Sequence, residues 1–156
     1  MQFEELRYVC QEAALDLVRS EDRPLPVTVV LPGRERTRLV KLAGFPDDDE
    51  ARHALLADFA ADEIVEGQVP CWGFVSEAEL GGQDAVVVVF GARKHAPHVT
   101  AALFGPDGAL VEFVPSEELD PTAMPFLHPL QHAVDALPAL EQPPTPEGGG
   151  ALPIIG

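Results

Sequence analysis

The chain has no asparagine, three serines (Ser20, Ser76, Ser116), two cysteines (Cys10, Cys71), two lysines (Lys41, Lys94), and no Lys or Arg after Lys94. Each shortage excludes something. None of the serines lies in a G-x-S-x-G nucleophile elbow. Ser20 sits at a helix exit, Ser76 ends a strand, and Ser116 follows a proline in an acidic turn. Two cysteines without a CxxC neighbour make neither a disulfide framework nor a thiolate zinc site. One disulfide stays open, although a small buried thiol is the ordinary outcome in an apolar, patterned segment. No stretch reaches the ~18 apolar residues of a membrane span. The start Met1-Gln2-Phe3-Glu4-Glu5 has no basic region leading into an apolar run, so a soluble, cytoplasmic protein is expected. The glycines form neither a P-loop nor a dinucleotide fingerprint, and no cofactor is implied.

What is present is acid. Ten Lys and Arg face 26 Asp and Glu, a formal net charge of -16 in 156 residues. Such a surface repels phosphate backbones, which bind through Lys and Arg, and so argues against nucleic acid as a ligand. A hydrophobic fraction of 46% argues against disorder. The length suits one core, and no internal repeat is visible. Abundant Ala, Pro, Gly, Arg and Asp with almost no Lys, Ile or Asn is also what a GC-rich genome imposes, so part of the acidity has a mutational origin.

Phe3, Leu6, Cys10, Ala13, Ala14 and Leu17 recur every three or four residues, which predicts a helix from Phe3 to Val18 that stops near Ser20. Residues 27–31 and 37–42 read as a hairpin, with Pro32-Gly33 at the centre of a type II turn and the second strand partly exposed. Carboxylates at Pro46-Asp47-Asp48-Asp49-Glu50 suit a helix start, and the helix should run from Asp48 to Val65. Its buried stripe is Leu55, Leu56, Phe59 and Ile64, with Asp58, Asp62, Glu63 and Glu66 toward solvent. Residues 69–75 and 84–90, joined through Gly81-Gly82, are apolar on both faces, as in central strands. Residues 98–104 and 109–114 flank Gly105-Pro106-Asp107-Gly108 and complete a four-strand meander. Asp120-Pro121 predicts an N-cap and first helical residue, within a short helix over 121–137 that Pro125 and Pro129 shorten or kink.

The expected fold is α+β: a mainly antiparallel sheet of five to six strands flanked by helices, in the order α-β-β-α-β-β-β-β-α, over residues 1–137. Residues 138–156 read as a Pro/Gly-rich tail. Profilin-like and roadblock-like domains share much of this order, an analogy of fold that carries no function. The acidic, Ala- and Leu-rich helix, followed by Cys71-Trp72-Gly73-Phe74-Val75-Ser76-Glu77-Ala78-Glu79 and the strand Ala85 to Phe90, resembles small bacterial and phage α+β proteins. In those a strand ending Val-Ser-Glu-Ala is commonly followed by Trp, where this chain has Glu79. The resemblance spans residues 50–92 and implies no activity.

Three constellations carry candidate chemistry. His128 and His132 stand one helical turn apart, the spacing that lets two imidazoles share a metal, and His95 and His98 bracket a nearby loop. The motif lacks the glutamate of zinc proteases, so solvated or core-edge histidines are the competing reading. Arg34, Arg36 and Arg38, with Arg93 and Lys94, form a basic patch for an anion or a partner's carboxylates if the two loops share one side of the sheet. Pairing with the protein's own acids competes with that reading. The tail tip carries Leu152, Ile154 and Ile155, apolar enough to dock on a partner groove or sheet edge. Carboxylate pairs such as Glu77 with Glu79, or Glu117 with Glu118, arise by chance among so many acids, and Trp72 with Phe74 reads as core. The leading expectation is a non-enzymatic accessory or protein-interaction domain of bacterial type, with a protein partner or self-association. The alternatives are a small metal-dependent or ligand-binding enzyme using the histidines, and an acidic mimic of nucleic acid that inhibits a DNA-binding protein.

Overall fold

A computed structural model describes residues 2–33 and 35–138. The chain folds as α1 (Phe3–Ser20), β1 (Thr28–Pro32), β2 (Thr37–Lys41), α2 (Asp49–Phe59) continued by a π-helical segment (Ala60–Val65), β3 (Cys71–Leu80), β4 (Gln83–Ala92), β5 (His95–Leu103), β6 (Glu117–Glu118), a 3-10 turn (Pro125–Leu127) and α3 (His128–Ala136). The six strands form one antiparallel sheet in the order β2-β1-β3-β4-β5-β6. This is the α+β architecture expected from the sequence.

The side-chain alternation of the central strands explains the layering. Val30, Val75, Val86, Val88 and Phe90 face one way and bury the stripe Leu6, Cys10, Ala13, Ala14 and Leu17 of α1. Val29, Leu31, Trp72, Phe74, Val87 and Val89 face the other way, against Leu56, Ile64, Leu130 and Val134 of α2, the π segment and α3. A strand apolar on both faces thus has helices on both sides.

Two glycines permit these close approaches. A Cβ at Gly73 would overlap the Cys10 Sγ beneath α1, and one at Gly91 would lie 2.8 Å from Trp72 Nε1 and run into Gln131 of α3. Gln131 fastens α3 to the sheet. Its Oε1 accepts from Trp72 Nε1 at 3.0 Å, and its Nε2 donates to the Ala92 carbonyl at 2.8 Å. Asp135 adds a bond from the Lys94 amide at 2.7 Å.

Several local expectations change. The hairpin turn sits two residues further on, because Pro32 still pairs with Thr37 and the Gly33 amide donates to the Arg36 carbonyl. Residues 109–114 are not a strand. Leu110 and Phe113 pack toward the α1 side while Val111 and Val114 are exposed, a spacing of three that no pleated strand can present. Only the bridge Phe104–Leu110 forms there, and β6 takes the outer place beside β5. Asp120 does not cap a helix; its Oδ1 accepts from the Thr122 amide and hydroxyl, holding its carboxyl below the usual range. Pro125 and Pro129 stand in the first turns of the 3-10 turn and α3, where a missing N–H costs nothing, so they start these elements rather than bend them. The expected helix over 48–65 begins as predicted, with Asp48 Oδ1 accepting from the Ala51 amide, but widens to π geometry after Phe59.

Cys10 and Cys71 are buried free thiols. Burial, with Cys71 nearby, pushes the Cys10 thiol well above its usual range, and burial pushes Cys71 up to about 11. Raised folded-state values mean that the thiols' contribution to stability is level below about pH 8.5, where both states keep the proton, and falls as pH rises toward 11. The expected slope is up to about 1.4 kcal/mol per pH unit for each thiol. Urea unfolding at pH 8 and pH 10 should show the fall in the native protein and a smaller one in Cys10→Ala/Cys71→Ala. An equal fall in both would overturn this assignment.

Candidate functional site

The exposed side of the α2–α3 layer carries an open concavity. α2 and the π segment present His53, Ala57, Ala61 and Val65 at four-residue intervals, and α3 presents His128, His132 and Ala136 in the same way. Between them runs an open groove of about 510 Å³, with Ala60, Pro129 and Ala133 buried at its base. Small side chains on both helices create the space, since the larger Leu56, Ile64, Leu130 and Val134 point to the sheet. Val65 remains 47% exposed at one end, an apolar residue without cover.

A second cleft of about 300 Å³ lies across α3. Pro97 of β5, Leu119, Met124 and Leu127 wall it, Glu118 and Gln131 supply polar atoms, and His128 and His132 line this cleft as well. Both clefts fall in the range of ligand sites, and the α3 histidines form the ridge between them.

The four histidines singled out in the sequence do not meet. His128 and His132 lie on the α3 side. On the α1 side His95 stacks on Phe3 with centroids 4.9 Å apart, and His98 meets Phe3 edge-on at 5.1 Å. Among the described residues no group of three or more His, Cys, Asp or Glu is placed to hold a metal ion. His53 joins the two α3 histidines around the groove, and no local sequence signal singles it out, because nothing near it in the chain links it to residues 75 and 79 positions away.

The basic residues divide. The β1–β2 and β4–β5 turns lie at the same end of the sheet, but β2 and β4 are three strand spacings apart, about 14 Å. Arg38 pairs with Glu63 at 2.8 Å, Arg93 Nε donates to the Leu137 carbonyl at 2.7 Å, and Arg36 and Lys94 are exposed. Arg34 lies outside the described residues, as do Leu152, Ile154 and Ile155 of the tail. Of the carboxylate pairs, Glu77 is taken up by Arg23 at 3.1 Å and by the Leu25 amide, while Glu117 and Glu118 form β6. Trp72 and Phe74 are core.

Comparison with protein-family models, with curated proteins and with solved structures yields no match. Among the described residues no helix is long and apolar enough to cross a membrane.

Proposed function

We propose that this chain is a non-enzymatic protein-interaction domain of a bacterial, cytoplasmic type, and that the groove between α2 and α3 is its contact surface. The observation that carries this reading is the groove itself: an open, largely apolar concavity of about 510 Å³ between α2 with its π segment and α3, lined by five alanines, Val65 and Pro129 beside three histidines. Its walls are the exposed faces of helices whose other faces are locked into the core, so the surface is preformed. Two side-by-side helices offer a third helix the ridges and grooves it needs to pack. The net charge of -16 disfavours nucleic acid as the partner.

The test uses a synthetic 18-residue helical peptide with Leu at i, i+4 and i+7 and neutral polar residues elsewhere. Fluorescence anisotropy should show saturable binding, and Ala61→Gln/Ala136→Gln, which puts bulk on both exposed walls, should weaken it at least tenfold with the unfolding transition unchanged. Equal binding by wild type and variant would overturn the assignment of the groove.

A further inference from the structure

The shoulder of the groove is chemically one-sided. One residue beyond Ala57, Ala61 and Val65, and so about a quarter-turn further around the helix, come Asp58, Asp62 and Glu66. All three are exposed, and none of their carboxylates takes part in a hydrogen bond or ion pair with the described residues. Glu63, between them, is already held by Arg38. The opposite wall bears His128 and His132 and no carboxylate. The groove therefore has an apolar floor, a row of unengaged carboxylates along one edge at helical pitch, and imidazoles along the other.

We infer that this groove takes one amphipathic helix of a separate, cationic protein, its apolar stripe on Ala57, Ala61, Ala133 and Ala136 and its Lys or Arg flank along Asp58, Asp62 and Glu66. The inference rests on the groove reading above and adds the partner's chemistry and orientation. Charge complementarity selects the occupant. Positive side chains spaced four residues apart on a helix repeat every ~6 Å and match carboxylates spaced the same way. The chain's own segment after Lys94 contains no Lys or Arg, so it cannot answer this row. A second copy brings another net charge of -16, with Arg7, Arg19, Arg23, Arg38 and Lys41 already paired to its own acids.

The experiment compares three versions of the peptide above, carrying Lys, Gln or Glu at i+1, i+5 and i+9, against the full chain. In 0.1 M salt the Lys peptide should bind about tenfold more tightly than the Gln peptide, become helical on binding by circular dichroism, and lose most of this advantage at 1 M salt. Asp58→Asn/Asp62→Asn/Glu66→Gln should bring the Lys peptide down to the Gln level and leave the Gln peptide unchanged. A control with the same charge change, Asp22→Asn/Glu79→Gln/Glu112→Gln, should keep most of the advantage. Equal binding of Lys and Gln peptides, or equal loss in the two triple variants, would overturn the cationic partner while leaving the groove reading intact. Concentration-dependent dimerisation blocked by Ala61→Gln/Ala136→Gln would make a second copy the occupant and overturn the inference. Failure of every peptide to bind would overturn both.

Discussion

Trp72→Ala is expected to destabilise the domain by about 3–5 kcal/mol, as loss of a fully buried aromatic does when the cavity cannot collapse. Trp72 has no exposed surface and sits in a central strand under α3. The cavity would open against Leu130 and Val134, and Gln131 Oε1 would lose the donor that anchors α3. Against a total stability of order 5–15 kcal/mol this is a large fraction. Trp72→Phe separates the two contributions, because it keeps most of the ring and removes the indole N–H; a cost of about 1–2 kcal/mol is expected from the unsatisfied Gln131 oxygen. Urea unfolding followed by circular dichroism measures both. A loss below about 1 kcal/mol for Trp72→Ala would mean that α3 is not cooperatively attached to the sheet.

Gly73→Ala should cost about 2–3 kcal/mol, which is overpacking rather than a cavity. The added methyl would overlap the Cys10 Sγ and lie 3.1 Å from the Val30 Cβ. Neither can retreat, since the sulfur is on a helix held by Leu6, Ala14 and Leu17 and Val30 is in the adjacent strand. The cause is identified by its remedy. Cys10→Ala removes the sulfur and costs something alone, but in combination it should recover at least half of the loss from Gly73→Ala. Thermal unfolding of the four proteins completes the cycle, and additive costs would show that the close approach of α1 is not the source.

Much of this architecture was legible locally. The stripe from Leu6 to Leu17, the doubly apolar runs around Phe74 and Val88, and the Gly81-Gly82 turn, both residues at positive φ, follow from periodicity and backbone sterics within a few residues. Local reasoning failed where a segment answers to something distant. Residues 109–114 look extended, yet Leu110 and Phe113 follow the surface they cover rather than a pleat. Asp120 resembles an N-cap, but its side chain is satisfied within its own turn, and the helix waits for Pro125 and Pro129.

Residue spacing and charge by themselves determined the element order, the stripes to be buried, the acidic surface and the absence of a catalytic set in any familiar spacing. Only the tertiary structure decided which helix covers which face of the sheet. That choice parts His95 and His98 from His128 and His132, spreads the basic residues over separate strands, and sets Ala57 and Ala61 opposite His132 and Ala136. The physical reason is that a stripe specifies that it must be buried and not against what. The second face of each strand and the gap between two neighbouring helices come into being only when the layers close on one another.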